Sequence, residues 1–224
     1  MKTVVISLGG SIIVPDKVDV SFLKKFKALV SKYVKKGYRF AIYCGGGSLA
    51  RSYQKSASAV SRLEQKQLDW LGIHATWLNA DLLIKVFGNL SEDYFIIDPT
   101  KKVKSKKKVL VAGGWKPGWS TDYDAVLLAK NLKAKLVVNM TNVDYVYDKD
   151  PKKNRNAKPI RETTWKELRK LVGSKWSAGL NMPFDPIASK EAGKSKLSVA
   201  IIGKNLSNLE DLLKGKRFKG TIIN

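Results

Sequence analysis

Three short apolar runs in this chain each stop at glycine: Leu8 runs into Gly9, Gly10 and Ser11, Cys44 into Gly45, Gly46, Gly47 and Ser48, and Ala112 into Gly113 and Gly114. Between such runs the apolar residues switch to helical spacing, as at Phe22, Phe26, Leu29, Val30 and Tyr33. A chain that alternates buried strand runs with amphipathic helices is confined to the α/β class. It must form a three-layer αβα sandwich with a mainly parallel central sheet and right-handed crossovers. That architecture places ligands at the carboxyl ends of the strands.

Strands are expected over residues 3–8, 39–44, 94–97, 108–112, 136–140, 197–202 and 221–223. Helices are expected from Ser21, the candidate N-cap, to a stop at Gly37, and then over 48–59, 65–87, 122–132, 165–172, 186–192 and 206–213. Gly193 reads as the C-cap of the helix before it. Residues 148–159, rich in Lys, Asn and Pro, read as a surface loop, no internal repeat is visible, and the 224 residues read as one domain.

Composition narrows the function. With 44% hydrophobic and 27% charged residues there is apolar surface enough for a core, which excludes a disordered chain. A single Cys and a single His exclude an internal disulfide and the usual zinc constellations. No apolar run approaches the roughly 20 residues that span a bilayer. The first 14 residues imitate a leader, but Gly9 and Gly10 interrupt them and no small-residue cleavage site follows, so they read as a first strand and the protein as cytoplasmic. The net charge is +23, and six of the eight residues at 101–108 are lysine. Scattered over every helix without interleaved aromatics, these lysines read as solvated faces and imply neither a specific nucleic acid nor a membrane partner.

The glycine turns carry the chemistry. Side by side on one sheet edge, they would expose amide N–H groups beside helix N-termini, a cradle for anions. Two adjacent anion sites suit a donor and an acceptor phosphate brought together for transfer, where the protein acts by positioning and electrostatics. Other phosphate motifs are missing: there is no G-x-G-x-x-G, and Gly193-Lys194-Ser195 has Ala188 where a Walker A loop needs glycine. Two further segments stand out, an aromatic loop from Gly113 to Asp122 that leads into a helix, and a polar, acidic stretch from Thr141 to Pro151 after a buried strand.

Together, the first glycine turn, the triple glycine followed by Arg51, the loop Gly-Gly-x-x-Pro-Gly-x-Ser-Thr-Asp and the segment Thr-Asn-Val-Asp-x-Val-Tyr-x-x-Asp-Pro resemble the amino acid kinase superfamily, in its order. Within it the chain is most similar to the archaeal-type uridylate (UMP) kinases, over essentially all 224 residues. The resemblance implies transfer of the ATP γ-phosphate to UMP, with Mg²⁺, in a homohexamer, the N-terminal part mainly holding the acceptor and the C-terminal part ATP. It implies that Ser7, Leu8, Gly9, Gly10, Ser11 and Gly47 line the ATP phosphates, and that Thr141, Asn142, Tyr147 and Asp150 hold the nucleoside of ATP. Gly46 and Arg51 would meet phosphate oxygens near the acceptor, Asp69 the UMP ribose, and Trp115, Lys116, Pro117, Gly118, Trp119, Ser120 and Thr121 the uracil. Arg51 and Asp122 are the implied catalytic residues, Asp122 through magnesium or as an organiser of the site.

Three positions depart from that pattern. Many superfamily members carry lysine where Ser7 stands, so the missing charge must come from magnesium, Arg51 or another lysine such as Lys116 or Lys190. Tyr145 replaces a glycine, and a tyrosine at positive φ would be strained. Trp77 stands where relatives often have a smaller polar or basic residue. The alternatives are isopentenyl phosphate kinase or another small-molecule kinase of the same fold, or a catalytically weak nucleotide-binding protein. Isopentenyl phosphate kinases carry a histidine shortly after the triple glycine, whereas the one histidine here is His74, expected half-buried in a helix.

Overall fold

The computed structural model describes residues 2–149, 154–172 and 184–224. The chain runs β1 (Lys2–Leu8), α1 (Gly10–Ile13), α2 (Val20–Lys35), β2 (Tyr38–Cys44), α3 (Gly47–Val60) and α4 (Gln65–Phe87). A 3-10 turn at Gly88–Leu90 leads to β3 (Val109–Ala112), α5 (Thr121–Asn131), β4 (Leu136–Met140), β5 (Val146–Tyr147), β6 (Pro159–Ile160) and β7 (Glu162–Thr163). Then come α6 (Trp165–Val172), α7 (Pro186–Lys194), β8 (Ser198–Ile202), α8 (Leu206–Leu213) and β9 (Gly220–Ile223). The main sheet has the order β3-β2-β1-β4-β8-β9-β7, parallel except between β8 and β9.

Period-2 alternation divides the core into two layers. Val4, Ile6 and Leu8 of β1, with Phe40 and Ile42 of β2, face α2, α4 and α8, where Phe26, Leu83, Phe87 and Leu209 close over them. Val5, Ala41 and Tyr43 face the other way, onto α5, α6 and α7 through Ala125, Leu128, Leu168, Ala188 and Ala192. Each large apolar side chain withdrawn completely from water, such as Phe26, contributes on the order of 1.5–3 kcal/mol. Ser7 takes the next inward position after Val5 and pairs in register with Tyr43 on β2. Both therefore lie beneath the start of α5.

Several expectations need correction. Residues 94–97 do not form a strand: Ile96 alone bridges to Ala112 along the outer edge of β3, and Pro99, which lacks an N–H, follows soon after. Asp19, not Ser21, caps α2, accepting from Phe22 N at 2.9 Å. Gly193 lies inside α7, where a Cβ would come within 3.1 Å of the Trp165 side chain; the backbone reverses later, at Lys196 with φ 50°. Residues 148–149 and 154–159 are not simply a loop, because Asp148 N donates to Lys158 O at 3.1 Å and extends the β5–β6 hairpin. His74 is exposed, its ring 5.0 Å from Trp77 and 5.9 Å from Trp70. Tyr145 is absent from the positive-φ residues; it is buried, its ring edge-on to Tyr147 and covered by Arg161.

Candidate active site

Because β3, β2 and β1 are neighbours, their three glycine turns do meet on one sheet edge. The first two interlock backbone to backbone: a Cβ on Gly10 would lie 2.3 Å from Gly47 N, and one on Gly47, at φ +63°, would lie 2.2 Å from Gly10 C. No other residue type fits either position without moving the backbone. Gly45 N donates to Leu8 O, and Gly9 N to Met140 O, each at 2.9 Å, so the turns also join β4. Leu8 offers only backbone here, since its side chain is wholly in the core.

Helix α3 starts from the second turn, and the first N–H groups of a helix have no partner within it. One turn along, the exposed Arg51 reaches back and donates from Nη2 to Ser11 Oγ at 3.2 Å, bridging α3 and α1. Gly46, Gly47, Arg51, Gly10 and Ser11 thus form one cluster.

Ser7 Oγ donates to Asp122 Oδ1 at 3.1 Å, which places the α5 carboxylate over the end of β1. Burial, reinforced by the Asp185 carboxylate, pushes the Asp122 carboxyl up to about 7 against the pull of the Ser7 hydroxyl. Asp185 caps α7 by accepting from Ile187 N and Ala188 N, while its other oxygen accepts from Ser120 Oγ. Ser120 in turn caps α5 through Tyr123 N. The starts of α5 and α7 are therefore tied beside the glycine turns.

The aromatic loop after β3 is gripped from two sides. Helix α4 supplies Thr76 Oγ1, which accepts from Gly114 N at 2.6 Å, Trp77 Nε1, which donates to Gly114 O at 2.8 Å, and Asp69 Oδ2, which accepts from Gly118 N at 2.8 Å. Helix α5 supplies Asp124 Oδ2, accepting from Trp115 N at 3.1 Å. The Lys116 ammonium lies 3.8 Å from the centre of the Trp115 ring and 5.8 Å from that of Trp119, which stacks on Tyr123. Lys116 is held by aromatic rings, and the Ser7 position keeps its hydroxyl contact to Asp122.

Beyond β4, Thr141 and Asn142 follow directly, and Thr141 N is held by Ile202 O at 2.9 Å. The turn is fastened from β9 and its approach: Val146 N donates to Thr221 Oγ1 at 2.9 Å, and Lys219 pairs with Asp144 Oδ2 at 2.6 Å. Tyr147 stands at the turn's end in β5, and Asp150 lies outside the described residues. The strand ends thus gather Ser7, Gly9 to Ser11, Gly46, Gly47, Arg51, Asp122 and Thr141.

Sequence reasoning missed the supports. Thr76 and Asn79 sit three apart on the buried side of α4, and Asn79 Nδ2 donates to Gly45 O at 2.8 Å. Polar residues on the apolar face of a long helix are the signal that could have found them. Asp69 was expected only as a ribose acceptor; both of its oxygens are already engaged, Oδ1 by Gln65 Nε2 at 2.8 Å and Oδ2 by Gly118 N.

A mainly parallel sheet with glycine turns at the ends of adjacent strands, and a carboxylate and an arginine beside them, suits phosphoryl transfer. The chain belongs to the amino acid kinase family, whose pattern matches residues 2–203. It is 38% identical to a uridylate kinase of Thermococcus sibiricus, with 98% of each chain covered, and 34% identical to one of Thermoplasma acidophilum, covering 99% and 96%. Its structure is similar to the crystal structure of uridylate kinase from Archaeoglobus fulgidus, with a TM-score of 0.85, 33% identity and full coverage of both chains. Among the described residues no helix is long and apolar enough to cross a membrane.

Proposed function

We propose that this chain transfers the γ-phosphoryl group of ATP to UMP, giving ADP and UDP. The interlock of Gly10 with Gly47 carries the reading, because it sets the turn of Gly9 to Ser11 edge to edge with the turn of Gly45 to Gly47, from which Gly46 and Arg51 extend, in a chain with near full-length similarity to uridylate kinases. The turn of Gly9, Gly10 and Ser11, with Gly47, receives the ATP phosphates; Thr141, Asn142 and Tyr147 take its nucleoside, and the family resemblance adds Asp150 to that role. Gly46 and Arg51 take the UMP phosphate, Asp69 the ribose, and the loop of Trp115 to Thr121 the uracil. Asp69 then serves twice, as anchor of Gly118 and as ribose acceptor through its remaining lone pairs.

An oxygen of the UMP phosphate attacks the γ-phosphorus in line, and the bond to the ADP leaving oxygen breaks. No covalent enzyme intermediate is involved. Amide N–H groups and the Arg51 guanidinium offset the charge that develops on the transferred group. Asp122 is an oxygen donor of the kind a hard cation takes, and magnesium is commonly held by one or two carboxylates together with substrate phosphates. When bound there, Mg²⁺ would supply charge neutralisation between donor and acceptor. Ser7 and the neighbouring Asp185 orient the Asp122 carboxylate for that contact.

The exposed apolar side chains of α3 and α4, Tyr53 at 60%, Val60 at 86% and Leu78 at 61%, support assembly into a homo-oligomer, a hexamer by resemblance. Light scattering on the eluting protein gives the subunit count. The deciding experiment is ADP release with UMP, CMP, dTMP, isopentenyl phosphate, glutamate and carbamate as acceptors. UMP is expected to be turned over best; faster turnover of isopentenyl phosphate would overthrow the reading.

A further inference from the structure

Beneath the aromatic loop lies a buried polar pair that the transfer reaction does not use. Tyr43 is fully buried on β2, Asp124 is 1% exposed on α5, and Tyr43 Oη and Asp124 Oδ1 are the buried side-chain atoms left without a hydrogen bond among the described residues. The two still act on each other: the Asp124 carboxylate helps to hold the Tyr43 phenol protonated well above its usual range, after burial itself. The other Asp124 oxygen accepts from Trp115 N at 3.1 Å, at the root of the loop.

The placement follows from the register. Ser7 and Tyr43 are paired across β1 and β2 on the face that meets α5, and Asp122 and Asp124 stand two apart in the first turn of that helix. Asp122 takes Ser7 and stays at the strand ends, while Asp124 turns into the core beside Tyr43. Burying a carboxylate is unfavourable, and an apolar residue of similar size would pack there at lower cost. What this side chain gains is a hydrogen bond to one amide, which an uncharged carbonyl oxygen in the same place can also accept. That amide belongs to the first residue of the loop that Thr76 and Trp77 fasten from the opposite side through Gly114.

We propose that Asp124, backed by Tyr43, is a positioning residue for acceptor recognition: by fixing the Trp115 amide it sets the path of residues 115–121 and so the affinity for the acceptor nucleotide. The inference rests on the reading that this loop receives UMP. Asp124 touches neither substrate in that reading; it acts through the backbone of Trp115. Its substitution therefore weakens acceptor binding and leaves the ATP side alone.

The test compares Asp124→Leu with Asp124→Asn, whose amide oxygen can still accept from Trp115 N. KM for UMP, KM for ATP and kcat are measured together with amide hydrogen exchange over residues 113–121. Asp124→Leu is expected to raise KM for UMP at least about tenfold, change KM for ATP less than about twofold and speed exchange at the loop. Asp124→Asn should stay within about threefold of the parent in every constant. Should Asp124→Leu fail to accumulate folded, Asp124→Ser, one bond short of the amide, carries the same expectation. A UMP KM within twofold of the parent in the Leu or Ser variant, whatever the thermal stability, overturns the positioning role. Trp119→Ala checks the underlying reading separately: if it leaves KM for UMP unchanged, or if the Asp124 variants raise KM for ATP instead, the loop is not the acceptor site.

Discussion

A Cβ on Gly113 would lie 2.6 Å from Cδ1 of Trp77, far inside van der Waals contact. In this chain the Trp77 indole thus fills the space that a side chain at the end of β3 would need. Gly113→Ala should destabilise the chain by about 1–3 kcal/mol, because the indole is held by its bond to Gly114 O and cannot move freely. In a Trp77→Leu background the same substitution should cost clearly less. Urea unfolding of the four proteins gives the coupling; equal costs in both backgrounds would refute the contact.

Arg51 is expected to grip phosphate oxygens with its planar fork once it leaves or shares Ser11 Oγ. Arg51→Lys should lower kcat/KM for UMP by at least about tenfold, equivalent to roughly 1.4 kcal/mol. Steady-state kinetics at saturating ATP measure it. A variant with the parent's kinetics would place this arginine outside the site.

Burial pushes the Asp124 carboxyl up to about 7, against the pull of the Trp115 amide and the Tyr43 hydroxyl and with smaller help from Asp122 and Asp185. An unfolded aspartate titrates near 3.9, so between these values the folded chain holds a proton that the unfolded chain has lost. The native state then binds more protons, and unfolding free energy falls as pH rises through this window. Asp124→Asn removes that titration. Relative to the parent, its stability should improve from pH 4 to pH 8 by on the order of 2–4 kcal/mol. Thermal melts across that range should show the two curves separating upward in pH. Parallel curves would mean that the carboxylate stays ionised when buried.

The lysines at 101, 102, 104 and 106 are exposed and lie on the approach to β3, at the opposite end of that strand from its glycine turn. Replacing these four with glutamine should weaken RNA retention and flatten its salt dependence, by a slope of about 0.7 for each lost contact to a single strand. UMP turnover at moderate salt should stay within experimental scatter of the parent. Parallel loss of both in a folded, assembled variant would assign the lysines to the active site.

What the sequence makes legible depends on how locally each feature is determined. Helix α4 is readable because its 23 residues contain no proline and lie between a capping box at Glu64 and a stop at Gly88. The three glycine turns are readable as a group because parallel topology brings them together whatever the side chains. Residues 94–97 mislead, since alternating β-prone residues do not reveal that one bridge at Ile96 is all the edge of β3 receives. The hairpin of β5 and β6 is two residues a side, too short for any period. Asp124 and Thr76 escape notice for another reason: their partners, Trp115 and Gly114, are separated from them by 9 and 38 positions, and hydrogen bonds to backbone leave no mark on the partner's identity.

The interlock of Gly10 with Gly47 has a consequence for how such a chain can diversify. If the two turns hold the two phosphates, the gap the phosphoryl group crosses is a ruler made of main chain, marked by contacts that contain no side-chain atoms. Substitutions in residues 115–119 can then change which acceptor is welcomed without altering the jump length. A Cβ on either glycine would force the turns apart, and that would spoil transfer for every acceptor at once.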